Sequence, residues 1–513
     1  MKPSFHTASA LFICFSFCAV YAQDNGLFSS TNRFGLSYEY SDSLRAAVTG
    51  DSSKFFFSRP CDVRFPRLAG PAGNIVVEAD GMRAGAAFNA VAGGIAVDND
   101  GISFGAVNGL LTLASLHLDA SVELSAFTTD RLAFGFPLES DYERFMAGTE
   151  RPIAGAMDFR FGVKEAYLTA KMKSLDVSVG KMKLRWGPGY KGTLGLSGTT
   201  YAPFYFYLIN LNLGSVFKLS SFLAGYDDED WFAGEVSAAD SLVVAANGRN
   251  ISTLPARYGA GQRVDVRLGR HFQLGLFELA DFFGSGDLIR FANPLQFYYT
   301  ANSASGTNFA NIMGGADVNV VFAPWRFYGE LLNDDVTLFE DAGNPDKYAF
   351  QIGAQYFPKG NITQAGIEYT HVTRYTYGHF TALSRHSLWD EPLGWQWGND
   401  GEWLNGHAVF NLSHRVRSKI EAGLWFKGAG ELIDDWYADG EPDLDNAPFW
   451  TGRPDKAVTL SVSARYSFKE WLSVDCTCRP MWEKRRGEEE WGSSLALYAY
   501  LTLTPPWEWQ AGK

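Results

Sequence analysis

The chain has 513 residues, a formal charge of −13 at pH 7 and 15 % aromatic residues, with 53 Gly, 40 Phe, 23 Tyr and 15 Trp. The acidic balance argues against a nucleic-acid partner, whose phosphates want a basic surface. Three of the cysteines, Cys61, Cys476 and Cys478, follow the N-terminal apolar stretch, an odd number with no Cys-x-x-Cys spacing, which argues against a disulfide framework or a zinc site.

In chain order, the first element is a secretion signal. Met1-Lys2 is basic, residues 10–19 are apolar and Val20-Tyr21-Ala22 satisfies the small-residue cleavage rule. Residues 1–22 therefore read as a signal peptide, with Gln23 the first mature residue. Residues 23–73 read as a small periplasmic or lumenal segment with one short helix at 41–48. From 74 to 504 the chain reads as strands, and no apolar run reaches the roughly 18 residues that a membrane helix needs. A first hairpin falls around 75–88 and 102–113. Within 175–186 the alternation slips at Gly180, which reads as a bulge, and beyond it Lys181, Lys183 and Arg185 share a face. Arg263, Asp265 and Arg267 alternate with Val264, Val266 and Leu268, and Arg326 and Glu330 with Phe327 and Leu331. Glu368 and Arg374 are set against Ile367 and Tyr369 in the same way. Residues 456–468 show the pattern most sharply, with Val458, Leu460, Val462, Ala464, Tyr466 and Phe468 against Thr459, Ser461, Ser463, Arg465 and Ser467. In the last strand, 494–504, Leu495, Leu497, Ala499, Leu501 and Leu503 oppose a hydroxyl-rich face. Residues 505–513 form a short tail.

Side chains alternate between the two faces of a strand, so each of these segments has one apolar and one polar face. Many such segments behind a secretion signal point to a transmembrane antiparallel β-barrel in the cell outer membrane, apolar toward lipid and polar toward a lumen. Connection lengths agree. Short ones at 172–174, 214–215, 269–271, 323–324, 358–361, 414–417 and 469–470 alternate with long ones at 129–155, 187–203, 227–257, 284–313, 335–346, 375–405, 428–455 and 485–490. This is the habit of short periplasmic turns and long extracellular loops, and the count comes to about 18 strands. A charge facing lipid is costly, so the charged residues should point inward and pair there. The implied partners are outer-membrane lipid and the barrel assembly machinery that inserts such chains.

Residues 180–203 read GKMKLRWGPGYKGTLGLSGTTYAP. This strand end with Trp186-Gly187-Pro188-Gly189, followed by an apolar stretch ending at Ser197, resembles the signature of the Wzi-type capsule assembly proteins. Three later segments are similar in order: GLFELAD at 275–281 with Asn293-Pro294 and Phe297-Tyr298-Tyr299, FYGELLNDD at 327–335 with Glu330, Asp334 and Asp335, and GIEYTH at 366–371 with Pro392-Leu393-Gly394 and Gly398-Asn399-Asp400. The resemblance implies an outer-membrane barrel of about 18 strands that retains or assembles surface polysaccharide. Read physically, Trp186 would end a strand at the membrane interface, and Pro188 and its flanking glycines would make a sharp turn. Glu330, Asp334 and Asp335 would pair with lumenal partners such as Arg326.

No catalytic constellation, cofactor motif or metal motif stands out. The 8 His are scattered, with no His-Glu-x-x-His. The candidate glycan contacts lie in LWDEPLGWQWGNDGEW, residues 388–403: Trp389, Asp390, Trp395, Trp397, Asp400 and Trp403. Aromatic faces pack on sugar C–H faces while carboxylates accept from hydroxyls. The acidic stretch 434–445 reads as a solvated surface. The expected function is a non-enzymatic capsule-retaining barrel, with a passive porin-type channel as the alternative. A lumen filled by inward-folded loops favours the first, and an open polar pore the second.

Overall fold

The computed structural model describes residues 74–79, 82–97, 100–115, 118–129, 159–198, 202–226, 256–303, 310–335, 345–379, 381–388, 391–432, 434, 450–469 and 472–503. The expected signal peptide, the 23–73 segment with its helix at 41–48, most of the acidic stretch 434–445 and the 505–513 tail lie outside these residues.

One antiparallel sheet of 19 strands makes up the wall. After a short strand, Asn74–Ala79, come Met82–Val97 (β1), Asp100–Ser115 (β2), Leu118–Thr129 (β3), Phe159–Met172 (β4), Leu175–Lys181 (β5) and Phe204–Leu213 (β6). Then follow Phe217–Tyr226 (β7), Arg257–Leu268 (β8), Phe272–Phe283 (β9), Asn311–Phe322 (β10), Trp325–Asp335 (β11) and Lys347–Tyr356 (β12). The last six are Ile362–Val372 (β13), Gly401–Asn411 (β14), Val416–Lys427 (β15), Asp455–Lys469 (β16), Leu472–Lys484 (β17) and Gly492–Leu503 (β18). Each pairs with the next, and β18 returns to β1 through Ala90↔Leu503 to Val97↔Ala496. The first part of that β1 edge, from Met82 to Ala87, pairs instead with Asn74–Ala79. Among the described residues no helix is long and apolar enough to cross a membrane.

The alternation read from the sequence sets the two faces. In β10, Asp317 and Asn319 are buried while Val318 and Phe322 are 39 % and 46 % exposed. In β16, Val462, Tyr466 and Phe468 face outward, and Arg465 turns inward to Asp475 of β17 at 2.7 Å. Leu276, Leu331, Ile352 and Ile367 continue the exposed apolar belt, the surface that acyl chains cover in a bilayer. At the short-turn end Phe272 meets Phe322 edge-on at 5.7 Å, and Trp325 lies 4.4 Å from Tyr356, an aromatic girdle. Cys476 and Cys478 sit together on the outer face of β17 as free thiols. At Gly180 the β5–β6 register shifts, as the slip in the sequence implied, and the backbone there is left-handed (φ 124°). A side chain at Gly180 would run into the backbone of Tyr167 and Ala166, so only glycine lets the chain leave the wall here. It leaves inward.

Candidate functional site: two straps in the lumen

Two long connections fold into the barrel. The first, 182–203, follows the Gly180 bulge. Arg185 and Trp186 pair antiparallel with Ser197 and Leu196, which makes it a hairpin. Its apolar side chains Met182, Leu184, Trp186, Leu194 and Leu196 pack on the lumenal face of the wall against Phe222, Phe277, Leu279 and Met313. Trp186 is 2 % exposed and meets Phe222 edge-on at 5.2 Å. The membrane-interface role expected for Trp186 is thus corrected: the strand it was assigned to turns into the lumen, where an indole is core.

The hairpin tip is held by wall carboxylates that accept its backbone N–H groups. Leu194 and Gly195 N–H donate to Glu330 Oε1 at 2.9 and 3.1 Å. Tyr190 and Lys191 N–H donate to Glu368, the latter at 3.0 Å, and Tyr328 OH donates to the same carboxylate at 2.7 Å. Pro188, which has no N–H, offers its carbonyl to Arg326 Nη2 at 2.5 Å. Arg326 also donates to Asn319 (2.9 Å) and Gln355 (2.6 Å). The expected pairing of Glu330 with Arg326 is therefore replaced by a division of labour: the cation takes a strap carbonyl, the anion takes strap amides. Gly187 holds φ at 123°, and a Cβ there would strike the Glu330 carboxylate. The neighbouring β14 and β15 hold the tip as well, with Tyr190 stacked on His407 at 3.8 Å and Lys191 Nζ 3.1 Å from Glu421.

The second connection, 373–400, lies against the first. Tyr377, at φ 72°, donates its N–H to Asp334 Oδ2 at 2.7 Å. Its hydroxyl donates to Leu194 O at 2.9 Å and accepts from Trp395 N–H at 3.0 Å. Ser197 donates both N–H and Oγ–H to Leu393 O, at 2.9 and 3.1 Å. Arg257 of β8 donates to the carbonyls of Leu383 (2.9 Å), Arg385 (2.7 Å) and Ser387 (3.3 Å). Asp335 ends β11 opposite Lys347.

His386 ties both straps to the wall. Its Nδ1 lies 2.6 Å from Asp281 Oδ2 and its Nε2 lies 2.7 Å from Gly195 O. A carbonyl and a carboxylate both accept, so the imidazole meets both as the doubly protonated cation. Burial pushes its pKa down, but Asp281 and the Gly195 carbonyl outweigh this, and the value is raised above that of an ordinary histidine. A raised folded-state value stabilises fully below about pH 6.5 and is lost as the pH climbs through the folded value. Protease cutting of the straps, normalised to cutting of unfolded chain, is expected to rise from pH 6 to 9. His386→Gln should flatten that rise, and an unchanged slope in the variant would exclude His386 as its source.

The sequence candidates for glycan contact divide. Trp395 and Trp403 are 3 % and 4 % exposed. Asp400 is buried and accepts N–H bonds from Gly430 at 2.6 Å and Thr451 at 3.0 Å. Trp397 is half-buried, stacks on Trp403 at 5.1 Å and lies 6.1 Å from Trp425, forming an aromatic patch on the lumenal side of β14 and β15. Trp389 and Asp390 lie outside the described residues. Among the described residues no cluster of His, Cys, Asp and Glu gathers to hold a metal. Sequence reasoning missed Arg257, Asp281, Tyr377 and His386 as strap holders. Their partners lie up to 191 residues away, as for His386 and Gly195, and no local spacing signals that.

A family model described as capsule assembly protein Wzi matches residues 114–423. No curated protein matches the chain. Among solved structures, the chain is similar to Wzi, an outer-membrane protein involved in group 1 capsule assembly in Escherichia coli and described as a carbohydrate-binding β-barrel. The TM-score is 0.52 at 13 % identity, covering 96 % of this chain and 100 % of that one. It is also similar to Pseudomonas aeruginosa OccD3 (OpdP), with a TM-score of 0.46 at 9 % identity over 85 % of this chain and 93 % of that one. The matched span takes in the strap hairpin, the carboxylates that hold it and Trp397 and Trp403 of the tryptophan patch, and on that ground the chain belongs to the Wzi capsule assembly protein family of outer-membrane β-barrels.

Proposed function

We propose that this barrel retains or assembles capsular or extracellular polysaccharide at the cell surface and catalyses no reaction on it. The observation that carries this reading is the strap hairpin 182–203, which crosses the lumen from its roots on β5 and β6 to a tip bound on the other part of the wall, the arc of β11, β13, β14 and β15. A solute channel needs an open polar path, so a lumen crossed by inward-folded connections favours the anchor over the channel. The relative in Escherichia coli is described as carbohydrate-binding, which supports a glycan as the ligand here. In this reading the barrel assembly machinery inserts the wall, Trp389, Asp390 and Trp397 meet the glycan, and Trp395, Asp400 and Trp403 hold the surface in place. Trp186, Gly187, Pro188, Gly189, Ser197, Glu330, Asp334 and Asp335 act on the straps.

The test is binding of the purified protein to the host's own surface polysaccharide. Trp397→Ala is expected to weaken it about tenfold, the loss of one aromatic anchor. Absence of wild-type binding, together with discrete conductance steps in planar bilayers, would replace the anchor with a porin-type channel.

A further inference from the structure

The connection after β9 behaves unlike the straps. It forms two short helices, Ser285–Phe291 (α1) and Tyr298–Ser303 (α2), and they lie on the outside of the wall. The alternation fixes this. In β9, Phe277 and Leu279 join the lumenal cluster and Asp281 holds His386, so Leu276, Glu278, Ala280 and Phe282 point outward. Leu276 is 49 % exposed, as the belt requires, yet Ala280 and Phe282 are each 1 % exposed. On the neighbouring strands outward Leu223 and Ala260 are covered too, and the groups packed with them are Phe291, Tyr298 and Ala301 of the helices. Phe282 and Phe291 sit 4.6 Å apart.

Polar groups follow the same logic. A carboxylate on the outer face of a barrel strand is costly against lipid. Glu278 is one, and its two oxygens accept the N–H groups of Tyr298 (2.8 Å) and Tyr299 (2.9 Å). Tyr207 donates its hydroxyl to Ala292 O at 2.8 Å, and outward Gln262 donates to the Gln296 carbonyl. The helices thus supply partners for wall polar groups at the level where the belt is otherwise apolar.

Depth can be reckoned from the girdle at Phe272. Six residues of strand to Glu278 give about 20 Å, or about 15 Å of height at a tilt of roughly 40°, and Phe283 comes at about 27 Å. An apolar band about 25 Å tall places the helices beside its outer half. Their far side carries Ile289, Leu295, Phe297 and Tyr299, exposed by 83, 80, 75 and 71 %. The belt adjoins the helices: Phe204 and Phe206, outward and 47 % and 46 % exposed on β6, lead through Tyr258, 6.3 Å from Phe206, to Phe282 and so to Phe291 of α1.

We infer that residues 285–303 form a bracket embedded in the outer half of the bilayer, with Ile289, Leu295, Phe297 and Tyr299 packed among outer-leaflet acyl chains. The belt that adjoins the helices selects lipid as the occupant of this face. A bracket of this kind fixes how deep the barrel sits and so how far its long loops stand above the membrane.

The experiment places a nitroxide at Phe297→Cys in the full protein, with Cys61, Cys476 and Cys478 changed to Ser, in vesicles of lipopolysaccharide and phosphatidylethanolamine. Collision with oxygen is compared with collision with a water-soluble nickel chelate, against labels at Ile352→Cys in the belt and Glu488→Cys in an exposed turn. The oxygen-to-nickel ratio at position 297 should match that at 352 and exceed that at 488 several-fold. A ratio like that at 488 would overturn the inference. So would protection from both reagents combined with dipolar broadening between labelled copies, which would assign the face to a second chain.

Discussion

Arg263→Ala is expected to destabilise the barrel by about 3–5 kcal/mol, the cost of leaving buried charges without their partner. The guanidinium lies 2.5 Å from Asp317 and 2.6 Å from Asp265, and all three side chains are below a tenth exposed. Removing it leaves Asp317 on β10 without its cation and Asp265 on β8 with Gln273, which donates at 2.9 Å, and Lys218, opposite it on β7. Denaturant unfolding in detergent micelles should show the loss. Arg263→Met combined with Asp265→Asn and Asp317→Asn should recover most of it, because an uncharged cluster leaves no buried ion unpaired. A single variant as stable as wild type would mean that water reaches the triad, and the lumen there would have to be wetter than its burial indicates.

Glu330→Ala together with Glu368→Ala is expected to release the strap hairpin while leaving the wall folded. Four backbone N–H groups, those of Tyr190, Lys191, Leu194 and Gly195, lose their acceptors, and each buried orphan costs about 1–3 kcal/mol. The wall keeps its strand ladder, so heat-modified mobility on gels should stay that of a folded barrel. Amide exchange at 187–195 should accelerate by orders of magnitude, and bilayer conductance should rise above that of wild type. Exchange as slow as in wild type would show that the apolar packing around Trp186 and Leu194 holds the strap without the carboxylates.

The wall was legible because lipid and lumen impose opposite demands on alternate residues, and β16 states both in 13 consecutive positions, 456–468. The alternation of short and long connections was legible for a similar reason. What lies inside was not. Trp186 follows the same alternation whether its strand continues along the wall or turns inward, and only the Gly180 bulge hinted at the turn. The carboxylates Glu330 and Glu368 were visible as lumenal, but their partners are backbone amides, which carry no sequence signature. Tryptophans gathered at 389–403 read equally as a sugar platform or a packed loop, and among the described ones Trp395 and Trp403 are buried while Trp397 is half-buried. The external bracket did leave a trace: Glu278 between Leu276 and Ala280 breaks the apolar outward face of β9, and that break marks where the helices attach.

The measurement closest to the central claim is the partition of surface polysaccharide between cells and medium, with and without this gene, at constant total synthesis. An anchor predicts that deletion moves glycan into the medium, and that wild-type protein restores retention while Trp397→Ala restores less. An unchanged partition would contradict a capsule-retaining role and leave the barrel as a fold shared with that family but put to another use.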